Sequence, residues 1–352
     1  MSRRIQWIDI AKGIAILAVI VGHTLGPYNG QFFGSFIFAF HMPIFFVLSG
    51  FLFHTRPVKQ AFMHGVINLL LPYLATGLVM LVVNFLAIHV VRNPLIRVCF
   101  PNTRQGLVAI GYGAGSEVFN PWGWRVIPIG AIWFLLSMFI AILIFNVIIL
   151  STQSLKYTNL ARFVLISFLT IDGGILGKIA YLPWAFNAAL LSQVFLYAGF
   201  IIKKYDVLAK ITMPWYLAFV FVWLVSAFQG YFALTVPTSP NLLISVIGGV
   251  GASLCIIQIS DRLSRYQGKP VINLLERYGR LSLIVLCFHL IDLNVVGLYG
   301  WTFSHINVIA GPLVATIVGI VYRVGFATFW MFIIPKVPIL RMAFLPRRYL
   351  LK

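Results

Sequence analysis

The sequence predicts an all-α fold, a polytopic membrane helical bundle of about ten transmembrane helices with both termini in the cytoplasm. Three observations predict it. The chain of 352 residues is 61% hydrophobic and only 9% charged, with a mean hydropathy of +0.98. Soluble domains are about 45–50% apolar and about 25% charged. Apolar runs near the roughly 20 residues that span a bilayer recur from end to end, and basic residues gather in alternate connections between them.

The runs fall at 10–28, 34–53, 69–90, 130–150, 163–181, 184–202, 215–235, 242–259, 281–298 and 311–335. The first follows Arg3 and Arg4 but ends in no small-residue cleavage pattern, so it reads as a retained helix rather than a signal peptide. The second carries Pro43, which loosens its backbone. The fifth is interrupted by Asp172, Gly173, Gly174, Gly177 and Lys178 and is expected to be broken or partly re-entrant. The eighth holds Gly248, Gly249, Gly251 and Ala252, small residues that permit close helix packing. One domain over 1–352 accommodates all of this. The single long connection, 91–129, holds Gly111, Gly113, Gly115, Pro121, Trp122 and Trp124 and reads as a partly ordered cap on the outer face.

In a soluble protein the formal charge of +19 would point to nucleic acid. Here its distribution excludes that partner. With the N-terminus inside, the inner connections carry Arg3, Arg4, Arg56, Lys59, the 262–280 cluster, Arg347, Arg348 and Lys352 among others. The outer side carries only Arg92, Arg97, Arg104, Arg125 and Lys178, which is the positive-inside signature. The basic loops thus read first as topology signals and contacts to anionic membrane lipids, some of them also able to attract a phosphorylated ligand. Cys99, Cys255 and Cys287 show no paired spacing, so neither a metal site nor a disulfide framework is expected.

Titratable groups within such runs are costly and usually face a protein interior, a water-filled cavity or a substrate path. Lys12 and His23 stand eleven residues apart in the first run, which returns them to nearly one helical face with about 16 Å of rise between them. Asp9, three residues before Lys12, reads either as its local ion-pair partner or as the group that orients it toward an anionic ligand. His41 in the second run lies at similar depth to His23 and can share a cavity with it, or merely bond a neighbouring carbonyl. Ser49 and Gly50 read on spacing alone as packing residues. His289 and Asp292 lie three residues apart in the ninth run and Arg323 midway along the tenth. Asp292 and Arg323 read either as a structural pair, or with Arg323 meeting an anionic substrate and His289 lining its path. Trp122, Trp124 and Trp133 read as interface anchors or as a sugar-stacking surface.

The segments WIDIAKGIAILAVIVGHT and FHMPIFFVLSGFLF, with WFL at 133–135 and YGRLSLIVLCFHL at 278–290, resemble the acyltransferase-3 family of integral-membrane acyltransferases. Lys12 and His23 match that family's basic residue, ten intervening positions and histidine. Phe45, Phe46, Ser49 and Gly50 match its FF-x-x-SG element. The resemblance implies an O-acetyltransferase of the bacterial inner (plasma) membrane. Such an enzyme moves an acetyl group from cytosolic acetyl-CoA to a hydroxyl of a surface glycan or lipid-linked sugar. It implies that His23 is catalytic and that Lys12 contacts the CoA moiety.

The expected sets are then His23 and His41 for chemistry, with His41 or a cap indole as oxyanion donor. Lys12, Asp9, Ser49 and Gly50 are expected on the acetyl-CoA side, and Trp133, His289, Asp292 and Arg323 on the acceptor side, with no metal. The family's arginine pair before the third helix is absent: His64, Asn68 and Pro72 stand there. This leaves Arg56, Lys59 or the 262–280 loop to hold donor phosphates. The rival reading is a secondary transporter or flippase using buried His, Asp and Arg groups, but transporters often show repeated halves, and the first two runs have no counterpart later. A non-catalytic scaffold would not need Lys12 and His23 on one face.

Overall fold

The computed structural model describes residues 5–91, 93 and 95–346. Arg3, Arg4, Arg92, Arg347, Arg348 and Lys352, which entered the topology argument, lie outside the described residues. Every apolar run contains a helix or a bent helix pair. The order is α1 (Gln6–Gly22), α2 (Phe32–Phe38), α3 (Pro43–Phe51), α4 (Val58–Gly65), α5 (Leu71–His89), α6 (Thr103–Tyr112), α7 (Trp133–Ser151), α8 (Thr158–Ile179) and α9 (Phe186–Leu191). There follow α10 (Gln193–Lys204), α11 (Val207–Lys210), α12 (Met213–Gln229), α13 (Leu242–Ser264), α14 (Pro270–Arg280), α15 (Ser282–Val295), α16 (Leu298–Ile333) and α17 (Pro338–Phe344). Among the described residues, six helical stretches are long and apolar enough to cross a membrane, or eight if each of two bent pairs is one span. The predicted count of ten also needs α1 and α12, at 17 residues each. Both sit at the short end of spanning length.

Prolines explain three irregularities inside the spans. Pro43 opens α3, where its missing N–H costs nothing, and the chain turns between α2 and α3 through 39–42. Pro72 can give no N–H to the carbonyl four residues back, and the turn before it, 66–70, widens into a π-helix in which the Asn68 amide donates to the His64 carbonyl at 2.7 Å. In α16, Gly311 takes φ +80° just before Pro312. A glycine tolerates that left-handed backbone at no steric cost.

The fifth run corrects its expectation: α8 is one unbroken helix. Its glycines serve packing. A Cβ on Gly173 would collide with the α9 backbone at Asn187 and Leu191, and one on Gly177 would press on Pro237. The break falls in the sixth run, where α9 and α10 meet at 47°. There Ser192 turns its hydroxyl back to the Ala188 carbonyl at 2.6 Å, a bond that competes with the helical ladder.

Close approach recurs where glycine faces backbone. Gly50 of α3 lies against the Leu196 carbonyl of α10, and Gly199 answers against that of Val47. Likewise Gly13 of α1 sits on the Leu275 carbonyl of α14 and Gly279 on that of Asp9. Gly279→Ala would place a methyl inside the Asp9 carbonyl's contact distance and push α14 off α1. We expect a loss of about 1–3 kcal/mol, read as a lowered thermal midpoint of the detergent-solubilised protein. A midpoint equal to wild type would show that this contact is loose.

The 91–129 connection is built around a few polar anchors. Buried Asn84 donates to the Phe100 carbonyl at 3.0 Å and accepts from the Cys99 and Phe100 amides at 2.9 Å each. Beyond α6, strands β1 (Val118–Phe119) and β2 (Arg125–Val126) form a small antiparallel hairpin across which Arg125 and Glu117 pair at 2.6 Å. Residues 95–97 bond to 295–297, with Arg97 N–H to the Val295 carbonyl at 2.9 Å and Gly297 N–H to that of Leu95 at 2.7 Å. This seats the start of the connection on the C-terminal end of α15.

Candidate active site at the end of the first helix

The site forms where α1 stops. The apolar run predicts a helix to residue 28, but α1 ends at Gly22 and His23 is its C-cap, donating its N–H to the Val19 carbonyl at 3.1 Å. Gly26, at φ +52°, then starts a single 3₁₀ turn with Pro27. Two further histidines converge on this terminus. His289 of α15 places Nε2 3.3 Å from His23 Nδ1, the rings lying 5.5 Å apart and only 17° from parallel. His41 lies in the α2–α3 turn with its ring 6.2 Å from His23 and edge-on. Phe38 packs against both imidazoles.

The three differ in access and in what their nitrogens can do. His41 is 3% exposed and His289 0%, whereas His23 keeps partly accessible surface. His41 Nδ1 lies 3.1 Å from the Ile37 carbonyl. A carbonyl only accepts, so Nδ1 carries the proton and Nε2 of neutral His41 is a lone pair. In that tautomer neutral His41 has no second N–H to offer an oxyanion.

The backbone of the terminus is clamped from α16. Arg323, 2% exposed, donates through Nη1 to the His23 carbonyl at 2.9 Å and to Thr24 Oγ1 at 3.3 Å. Its Nε faces Asp292 Oδ2 at 3.2 Å, and its guanidinium carbon lies 3.8 Å from the centroid of the Tyr299 ring. Asp292 receives a hydrogen bond on its other oxygen, Oδ1, from the Tyr322 hydroxyl at 2.6 Å. A cation at a helix C-terminus meets the carbonyls left without helical partners. Arg323 and Asp292 therefore hold each other and the end of α1.

Toward the other end of α1, Asp9 is buried and Lys12 half-buried. The partner surface there is α14, a contact the sequence reading did not anticipate. Gln6 donates to Glu276, which also pairs with Arg280 at 2.7 Å, and Arg277 stacks 3.9 Å over Phe332. Part of the 262–280 loop is thus a helix laid along the start of α1. Arg56 has both its backbone groups bonded by the Asn146 amide, at 3.1 and 2.9 Å, and Lys59 is exposed. Ser49 is half-buried, while the contact with Leu196 accounts for Gly50 without a ligand.

The three tryptophans do not share a surface. Trp122 and Trp124 are 70% and 73% exposed in the hairpin turn, held by Asn120 Oδ1 accepting from both their amides at 3.0 and 2.8 Å. Trp133 is buried beside Gly115.

These features are those of a multi-pass membrane protein with a histidine-centred site inside its bundle. The family profile described as an acyltransferase domain matches residues 5–331, and the chain belongs to this acyltransferase-3 family. It is a membrane acyltransferase. No curated protein and no solved structure matches it at a significant level.

Proposed function

We propose that the protein moves an acetyl group from cytosolic acetyl-CoA to a hydroxyl of a surface glycan or lipid-linked sugar. It does so in the bacterial inner membrane, with ten spans and both termini in the cytoplasm. The observation that carries this reading is the placement of His23. Of the three histidines gathered at the end of α1, it is the one whose residue is not fully buried, and it stands about 16 Å along one helix from Lys12. A donor with phosphates at one end and a thioester at the other of a long arm suits that separation.

In this reading CoA phosphates lie near Lys12, at the basic cytoplasmic rim shared with α14, and Asp9 orients Lys12. His23 Nδ1 faces His289, so Nε2 is the reacting nitrogen. It takes the hydroxyl proton as the acceptor oxygen attacks the thioester carbonyl. The C–O bond forms, the C–S bond breaks, and the same proton passes from Nε2 to the departing sulfur. Family membership weighs against the transporter reading, because the same buried groups then serve group transfer.

The test is transfer of labelled acetyl from acetyl-CoA by the purified protein. It is paired with mass spectrometry of envelope glycans from cells with and without the gene, scored for the increment of one acetyl group. Lys12→Ala is expected to weaken acetyl-CoA binding roughly tenfold or more, the loss of one charge-assisted contact, while acceptor binding stays unchanged. Equal donor affinity in titration calorimetry would remove Lys12 from the donor site.

A further inference from the structure

His289 meets the His23 ring directly, and its surroundings restrict what it can be for. Its ring is wholly buried. Nδ1 has no hydrogen-bond partner among the described residues, so the imidazole's polar engagement there is with His23. A phenyl or leucyl side chain would fill the same space without desolvating two nitrogens. Packing alone therefore does not account for a histidine here.

We propose that His289 is a positioning residue that sets the tautomer of His23: its Nε2 accepts the His23 Nδ1–H, so that His23 Nε2 presents a lone pair to the acceptor hydroxyl. The inference rests on His23 being the reacting base. A neutral imidazole has one N–H, and where it sits decides whether the nitrogen turned away from His289 is a base or a donor. Were His289 the donor, His23 would carry its proton on Nε2 and could take none from a hydroxyl.

The geometry supplies what an orienting partner needs. α15 fixes both parts of His23: His289 meets its ring directly, while Asp292, one helical turn on, fixes its backbone through Arg323. His41 offers no comparable approach: its ring stands edge-on to that of His23 with centroids 6.2 Å apart, whereas His289 Nε2 lies 3.3 Å from His23 Nδ1. When His23 takes the hydroxyl proton it becomes an imidazolium, and its Nδ1–H bond to His289 becomes charge-assisted and stronger. His289 stays neutral throughout. The proton leaves from Nε2 to the thiolate, and the starting tautomer is restored.

The measurement is hydrolysis of labelled acetyl-CoA, with water as acceptor, by the full chain in lipid nanodiscs. Wild type, His23→Ala, His289→Leu, His289→Phe and His289→Gln are compared, each first checked for a monodisperse elution profile. The apolar variants keep the packing and remove the acceptor nitrogen. They are expected to lose on the order of 100-fold in kcat, with KM for acetyl-CoA within about twofold. The His289→Gln amide oxygen can still accept the Nδ1–H and is expected to retain most of the rate, a rescue that a purely structural role would not produce.

Wild-type kcat in a folded His289→Leu or His289→Phe protein overturns the inference. Should neither fold, a His289→Gln protein as inactive as His23→Ala overturns it instead. Full activity in His23→Ala would defeat the proposed function itself. An inactive His23→Ala beside a fully active His289→Leu defeats only the role given to His289.

Discussion

His23→Ala is expected to lower acyl transfer by 10²- to 10⁴-fold, the usual span for removal of a positioned general base, with the fold retained. Retention follows from how the residue is held. Arg323 grips the His23 carbonyl, which alanine keeps, and Thr24 Oγ1, which is untouched. His23 is the C-cap of α1 with φ −75° and ψ −5°, a conformation alanine adopts without strain. The measurement is labelled acetyl transfer beside the thermal midpoint of the same preparation. Loss of rate at an unchanged midpoint is the expected pair, and transfer at the wild-type rate would place the chemistry elsewhere.

Arg323→Leu is expected to destabilise the protein by about 3–5 kcal/mol, because it strands the Asp292 carboxylate in a buried site with only Tyr322 to bond it. The same substitution strips the end of α1 of its donor to the His23 carbonyl and Thr24. A paired variant separates the two effects. Replacing both charges, as Asp292→Leu with Arg323→Leu, removes the stranded carboxylate, and buried ion pairs exchanged for apolar side chains are often neutral or stabilising. Stability should therefore recover in the double variant while activity should not, since the clamp on His23 is still missing. Equilibrium unfolding in mixed detergent with parallel rate measurements reads both. If Arg323→Leu alone unfolds at the wild-type midpoint, the pair contributes nothing to the bundle. If the double variant regains full rate, the clamp is irrelevant to chemistry.

The positions of the helices were legible because bilayer length and apolar composition are local properties. So was the irregularity at Pro43, since a missing N–H acts on its own turn, while those beside Pro72 and Pro312 went unread. Glycine was ambiguous. Gly173 and Gly177 read as interruptions of the fifth run, yet they let α8 lie against α9 and Pro237. Nothing local distinguishes a glycine that bends a helix from one that admits a neighbour.

The inward face of each helix was equally hard to read. In a soluble protein polar residues mark the outside. Here lipid is as apolar as the core, and α8 exposes Phe163, Phe168 and Ile175 much as it would bury them. Trp133 suffered from the same ambiguity, grouped with two exposed indoles and found buried. The helical period did bring Lys12 and His23 to one face, but it could not say that α1 would stop at Gly22.

By itself the sequence determined the class of protein, the family and the spacing of Lys12 and His23 along one helix, because each follows from the order of residues over a few turns. Only the tertiary structure decided which imidazole meets His23, what Arg323 grips and which nitrogen of His41 is occupied. Those contacts join residues more than 200 positions apart in the case of His289 and Arg323. They exist because α1, α15 and α16 pack together, and side-chain packing across helices has no periodic signature in the chain that makes it.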